Sequence, residues 1–123
     1  AAITPLGTGT AGVAGFPDLL AFGDLSGGSV ASLSYRDGPA DAAALLFLSV
    51  ASTPVPFKGG QLFTLPIALA VPLTTDPAGT FWLDLPWPPG LPVGASVWWQ
   101  VAAADGTAVG GVSLSNALRF LTP

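Results

Sequence analysis

Glycine and proline constrain this chain more than any other feature. Sixteen Gly and thirteen Pro are scattered between apolar runs in 123 residues. Both disfavour a helix interior, Gly through backbone entropy and Pro through its missing N–H. The stretches left between them are short. Phe81, Leu83 and Leu85 alternate with Trp82 and Asp84, and Val97, Trp99 and Val101 alternate with Trp98, Gln100 and Ala102. Alternation at period 2 marks a strand with two unlike faces. Ser29–Tyr35 alternates in the same way, and Ala44–Ala51 is a continuous apolar run suited to a central strand. The Ala-rich stretch within Pro39–Phe47 favours helix locally, but its continuation LLFLSVAS reads better as a buried strand. The pattern predicts an all-β fold, a single β-sandwich of Greek-key or jelly-roll type with about seven to nine strands.

The organisation along the chain follows from the same punctuation. Residues 1–15 form an extended N-terminal segment, Ala1–Leu6, followed by a Gly/Thr arm, GTGTAGVAG, with no packing face of its own. Residues 16–123 form the β-sandwich domain. Pro54–Gly60 reads as a loop. Pro66 and Pro72 belong at strand ends or on an edge, because proline cannot donate to a ladder. Pro86–Gly94, PWPPGLPVG, is a stiff crossover, and Ala95–Leu121 closes the chain as a strand pair. Asn116, the only Asn, falls mid-strand, where it is expected to satisfy buried backbone or mark a bulge.

Charge excludes several classes of partner. Only 8% of the residues are charged, against about 25% in ordinary domains. The seven acids are all Asp, and the bases are Arg36, Lys58 and Arg119. A net charge of -4 argues against nucleic acid, which demands basic residues to replace counterions. No run of 18 apolar residues exists, so a membrane-spanning helix is not expected. The start Ala1-Ala2-Ile3 without any Met predicts an exported product, since signal-peptide cleavage leaves small residues at the junction.

The residues of common catalytic sites are missing. Without His, Cys or Glu the usual nucleophile–base pairs cannot be built, and Lys58 sits in a glycine loop, so no enzyme activity and no catalytic residue is assigned. Asp24, Asp37, Asp41, Asp76 and Asp105 each stand beside Gly, Pro or Ala, where turn capping explains them. Asp37 and Asp41 flank Gly38-Pro39, yet no calcium-loop pattern surrounds them, so neither metal nor cofactor is assigned.

Two readings remain. Strands with almost no charge lack the usual edge protection, and association is the economical explanation. The extended terminus suits strand addition to a neighbour's sheet edge, with Ala1, Ala2, Ile3 and Leu6 at the contact and Trp82 and Trp98 covered by the next subunit. The expected function is an exported structural subunit that self-assembles with copies of itself into an extracellular filament or surface layer. The alternative is a carbohydrate-binding or cell-surface adhesion module, in which Trp82, Trp87 and Trp98 stack on a polysaccharide.

Four segments carry a family resemblance: Gly7-Thr8-Gly9-Thr10, Leu45–Leu48, Trp99-Gln100 and Leu114-Ser115-Asn116. In this order the chain resembles the secreted all-β domains common in planctomycete-type environmental bacteria. The resemblance implies export and an all-β fold and supplies no activity. Such domains often close larger exported proteins. This chain departs by being essentially the domain alone, which favours a subunit over an appended module.

Overall fold

The alternating runs become strands, and their apolar faces meet between two sheets. The structure, a computed structural model, describes residues 3–7, 9–13, 15–52, 55–57, 60–62, 64, 67, 69–87, 89–90, 92–106, 108 and 111–122. In chain order the strands are β1 (Ile3–Leu6), β2 (Asp18–Phe22), β3 (Val30–Arg36), β4 (Ala43–Ser49), β5 (Val55–Phe57), β6 (Gly60–Leu62), β7 (Leu69–Thr74), β8 (Phe81–Pro86), β9 (Ser96–Ala104), β10 (Val112–Leu114) and β11 (Ala117–Leu121). The large sheet has the order β1-β11-β9-β4-β7, with β10 also on β9; the small sheet is β2-β3-β8. All pairings are antiparallel. The chain is an all-β sandwich, and β4 is an interior strand between β9 and β7, as its continuous apolar run suits.

The core lies between the sheets. Leu19, Ala31, Leu33 and Tyr35 come from the small sheet, and Leu46, Trp99, Val101, Leu118 and Phe120 from the large one. Phe120 is fully buried, with its ring centroid 5.6 Å from both Trp87 and Trp99. Tyr35 stacks on Phe81 at 5.0 Å. Its hydroxyl has no hydrogen-bond partner among the described residues. Burial, opposed by the Ser113 hydroxyl and reinforced by the negative charge of Asp105, pushes the Tyr35 phenol up to about 12.

The closing strand breaks where Asn116 sits. Leu114 pairs with Ala102, and Leu118 pairs with Trp99. One extra residue therefore lies on the β10–β11 side, which is a β-bulge. The Ser115 hydroxyl accepts the Val101 N–H at 3.0 Å, taking the place of a ladder carbonyl. The Asn116 side chain turns to the other sheet. Its Oδ1 accepts the Leu19 N–H at 2.8 Å, and its Nδ2 donates to the Leu19 carbonyl at 3.0 Å. One amide thus pairs with β2 as another strand would, and it ties the two layers together.

Two segments differ from their reading in sequence. The stretch read as a loop at Pro54–Gly60 contains β5 and leads into β6, a two-stranded ribbon. Leu62 of this ribbon packs on Phe47, Ala102 and Leu114, on the outer side of the large sheet, and builds a second small core there. The Gly/Thr arm also packs. Thr10 is buried and exchanges backbone hydrogen bonds with Leu114, at 3.0 and 3.2 Å. A side chain at Gly9 would collide with the Leu114 carbonyl, so the glycine is what lets the arm lie this close. Asp105, read as a turn cap, is buried and accepts the Val13 N–H at 2.9 Å, linking the arm to the end of β9.

Proline takes the place of charge at the sheet edges. β1 and β7 border the large sheet and carry Pro5 and Pro72; β8 borders the small sheet and ends at Pro86. Each removes one donor from an edge that a foreign strand would need. The remaining edge, β2, carries Asp18 in an ion pair with Arg36 at 3.3 Å.

Candidate functional site

The outer face of the small sheet gathers exposed aromatic and polar side chains. Leu19 of β2, Leu33 of β3 and Leu83 of β8 point to the core. Period 2 therefore sends Leu20 and Phe22, Ser32 and Ser34, and Trp82 and Asp84 outward. In register, Phe22 lies beside Ser32, which lies beside Asp84; Leu20 lies beside Ser34, which lies beside Trp82. β2 and β8 stand about 10 Å apart across β3. The two serines are small enough for rings from the flanking strands to meet above them. The Phe22 and Trp82 centroids are 5.9 Å apart with planes 16° from parallel. Both rings face solvent, Phe22 at 52% and Trp82 at 60% exposure, with Val30 at 56% beside them.

Hydrogen bonds orient the site. The Trp82 Nε1–H donates to Asp84 Oδ1 at 2.7 Å, and the Ser32 hydroxyl donates to the same oxygen at 2.7 Å. These two donors, Ser32 first, hold the Asp84 carboxyl below its ordinary value. The carboxylate is therefore ionised near neutrality. Its second oxygen, Oδ2, receives no bond from any described residue. The indole is pinned along one edge by Asp84 and stacked with Phe22, and the residue still stays more than half exposed.

The other tryptophans lie elsewhere, which corrects the proposed three-Trp platform. Trp87 is 6% exposed and belongs to the core. It continues the inward series Phe81, Leu83 and Leu85, because its N–H and carbonyl extend the ladder to Ser29 and Gly28. That period-2 signal was present in the sequence, but the prolines around Trp87 masked it. Trp99 is 7% exposed and faces the core, so its neighbour Trp98 faces the outer side of the large sheet, half-buried. Trp82 and Trp98 therefore occupy opposite outer faces, and no single ligand or neighbour surface spans both. Sequence reasoning missed Phe22, Ser32 and Asp84; only the pairing of β2, β3 and β8 brings them to Trp82.

The residues expected at a subunit contact also separate. Ile3 and Leu6 are half-buried in β1, which pairs with β11 of its own chain from Ile3↔Phe120 to Leu6↔Ala117. Ala1 and Ala2 lie outside the described residues. A shallow apolar groove of about 720 Å³ opens on the large sheet, lined by Ala43, Leu45, Pro72, Thr74, Ala104 and Val112. Among the described residues no three acidic, His or Cys side chains converge as a metal cage. Asp24 and Asp76 instead bond local donors, Ser26 and Thr80 foremost, and their carboxyls are lowered by those bonds.

Comparison with known proteins gives no match among family models, curated proteins or solved structures.

Proposed function

We propose that this chain is an exported, non-catalytic structural subunit that associates with copies of itself into an extracellular filament or surface layer, β1 of one copy completing the large sheet of the next. The observation that carries this reading is the attachment of β1. It is a four-residue edge strand whose ladder pairing, among the described residues, is with β11 alone, and the chain turns directly after it at Gly7, with φ at 62°. The four register pairs it makes within its own chain are the same pairs it would make in a neighbour. Exchange of an identical element is a low-cost route to assembly, and a head-to-tail exchange that does not close gives an open filament. The resemblance to secreted β-domains supports export. Low surface charge supports association. The strand order β2-β3-β8 against β11-β9-β4-β7, with β3→β4 and β8→β9 both crossing between layers, supports Greek-key connectivity.

The test is a crosslink. The chain has no Cys, so T4C with R119C introduces a single pair at positions that face each other in the ladder. Oxidation of the concentrated native protein should give a ladder of covalent multimers on a non-reducing gel. A monomer band alone would show that β1 stays in its own chain and would overturn the exchange. Removing residues 1–6 should abolish the assembly; particles of unchanged size by light scattering would refute the role of β1.

A further inference from the structure

We infer that the outer face of the small sheet is a binding site for a neutral carbohydrate, with the exposed Trp82 ring against a sugar ring, Phe22 stacked with Trp82 to support it, and Asp84 accepting a sugar hydroxyl. This site is separate from β1 and does not depend on the proposed assembly. Three features of the face select the ligand. Phe22 stacks against Trp82 with centroids 5.9 Å apart, and both residues remain more than half exposed, so the ring pair leaves much of its apolar surface open to solvent. A pyranose ring has a matching C–H face. The polar groups next to the rings are the Asp84 Oδ2 and the Ser34 hydroxyl, neither hydrogen-bonded to another described residue. A ligand that completes this site brings hydroxyl donors at its rim and an apolar face at its centre.

Charge narrows the class. Asp18 and Arg36 neutralise each other, so Asp84 is the unpaired charge among the described residues of this face. An anionic polysaccharide would meet that charge unfavourably. A second copy of the chain would do the same, because the protein carries -4 overall and a symmetric contact would bring Asp84 toward its counterpart. Size points the same way. Three strands about 4.8 Å apart, five, seven and six residues long, present roughly 300 Å². That is well short of the ~800 Å² per partner of a stable protein interface, and it matches one to three sugar rings. The indole arrives preorganised, since Asp84 fixes its edge before any ligand binds, and preorganisation lowers the entropy cost of binding.

The experiment titrates the protein with cellohexaose, xylohexaose and mannohexaose, and with polygalacturonate as the anionic probe. Trp82 is the tryptophan that faces solvent most openly, so at least one neutral oligosaccharide should shift the intrinsic emission and give a calorimetric isotherm. W82A and F22A should each weaken that binding about tenfold or more, as expected for the loss of a stacking ring. D84N should weaken it about fivefold through the lost acceptor. W98F lies on the opposite face and should bind like the parent. A thermal melt within a few degrees of the parent confirms that each variant is folded. Absence of binding to all three neutral oligosaccharides at millimolar concentration overturns the inference. So does binding that survives W82A, or a preference for polygalacturonate. If W82A alters the oligomeric state and leaves sugar binding untouched, the face is a contact between copies instead.

Discussion

The two outer faces of this sandwich start from similar material and end differently. The large sheet turns Phe47, Ala102 and Leu114 outward, and the small sheet turns Phe22, Leu20 and Trp82 outward. On the large sheet the chain supplies its own cover, Leu62 of the β5–β6 ribbon, and the outward residues become a second core. On the small sheet no described residue lies over the rings. An apolar strand position therefore does not announce whether it serves folding or recognition. The decision depends on whether another segment of the chain reaches it.

Truncation should separate the faces most sharply. F47A empties a covered site where the side chain is 8% exposed, and it should cost about 3–5 kcal/mol, read as a fall in the urea midpoint. W82A should cost no more than about 0.5 kcal/mol, because an exposed ring contributes little to folding. Equal losses would mean that the small sheet's outer face is also structural. A smaller effect comes from the amide that joins the layers. N116A leaves the Leu19 N–H and carbonyl without their partners, and it should cost about 2 kcal/mol in the same assay. N116D keeps the acceptor for the Leu19 N–H but sets a carboxylate against its carbonyl, so it should restore little of the loss.

Titration gives the smallest contrast and runs in the alkaline range. Tyr35 sits inside and its phenol is pushed up to about 12, above its unfolded value of about 10. The unfolded chain therefore loses this proton first. The stability contributed is present in full below about pH 10 and is lost as the pH rises toward 12. A Y35F variant should lack that alkaline decline in melting temperature. At neutral pH it should stay close to the parent, since the hydroxyl it removes has no partner among the described residues. An unchanged alkaline decline in Y35F would place its origin elsewhere in the molecule.

Much of the fold was legible in the residues. Alternation in Gly79–Leu85 and Val97–Ala102 already assigned inward and outward positions, and β8 and β9 follow it. Pro72 belonged on an edge because it has no N–H, and β7 is an edge. Adjacent Trp98 and Trp99 had to face opposite ways, and they do. The candidate site was less legible. The strand period alone puts Trp82 outward, but Pro86 and Pro88 obscure in sequence the continuation of the strand that turns Trp87 inward. Phe22 and Asp84 are 62 residues apart in number and share a face only through β3.

By itself the sequence determined which residues could not be helix, which side of each strand was apolar, and which catalytic chemistries lacked their side chains. These are local matters, set by backbone sterics, the period of a strand and the side chains present. Only the tertiary structure decided which strands became neighbours, that the Asn116 amide would bridge the layers, and that one apolar outer face would be covered while the other stayed open. Pairing brings together residues far apart in the chain, and an alternating pattern specifies a strand's two faces without naming what will lie against either of them.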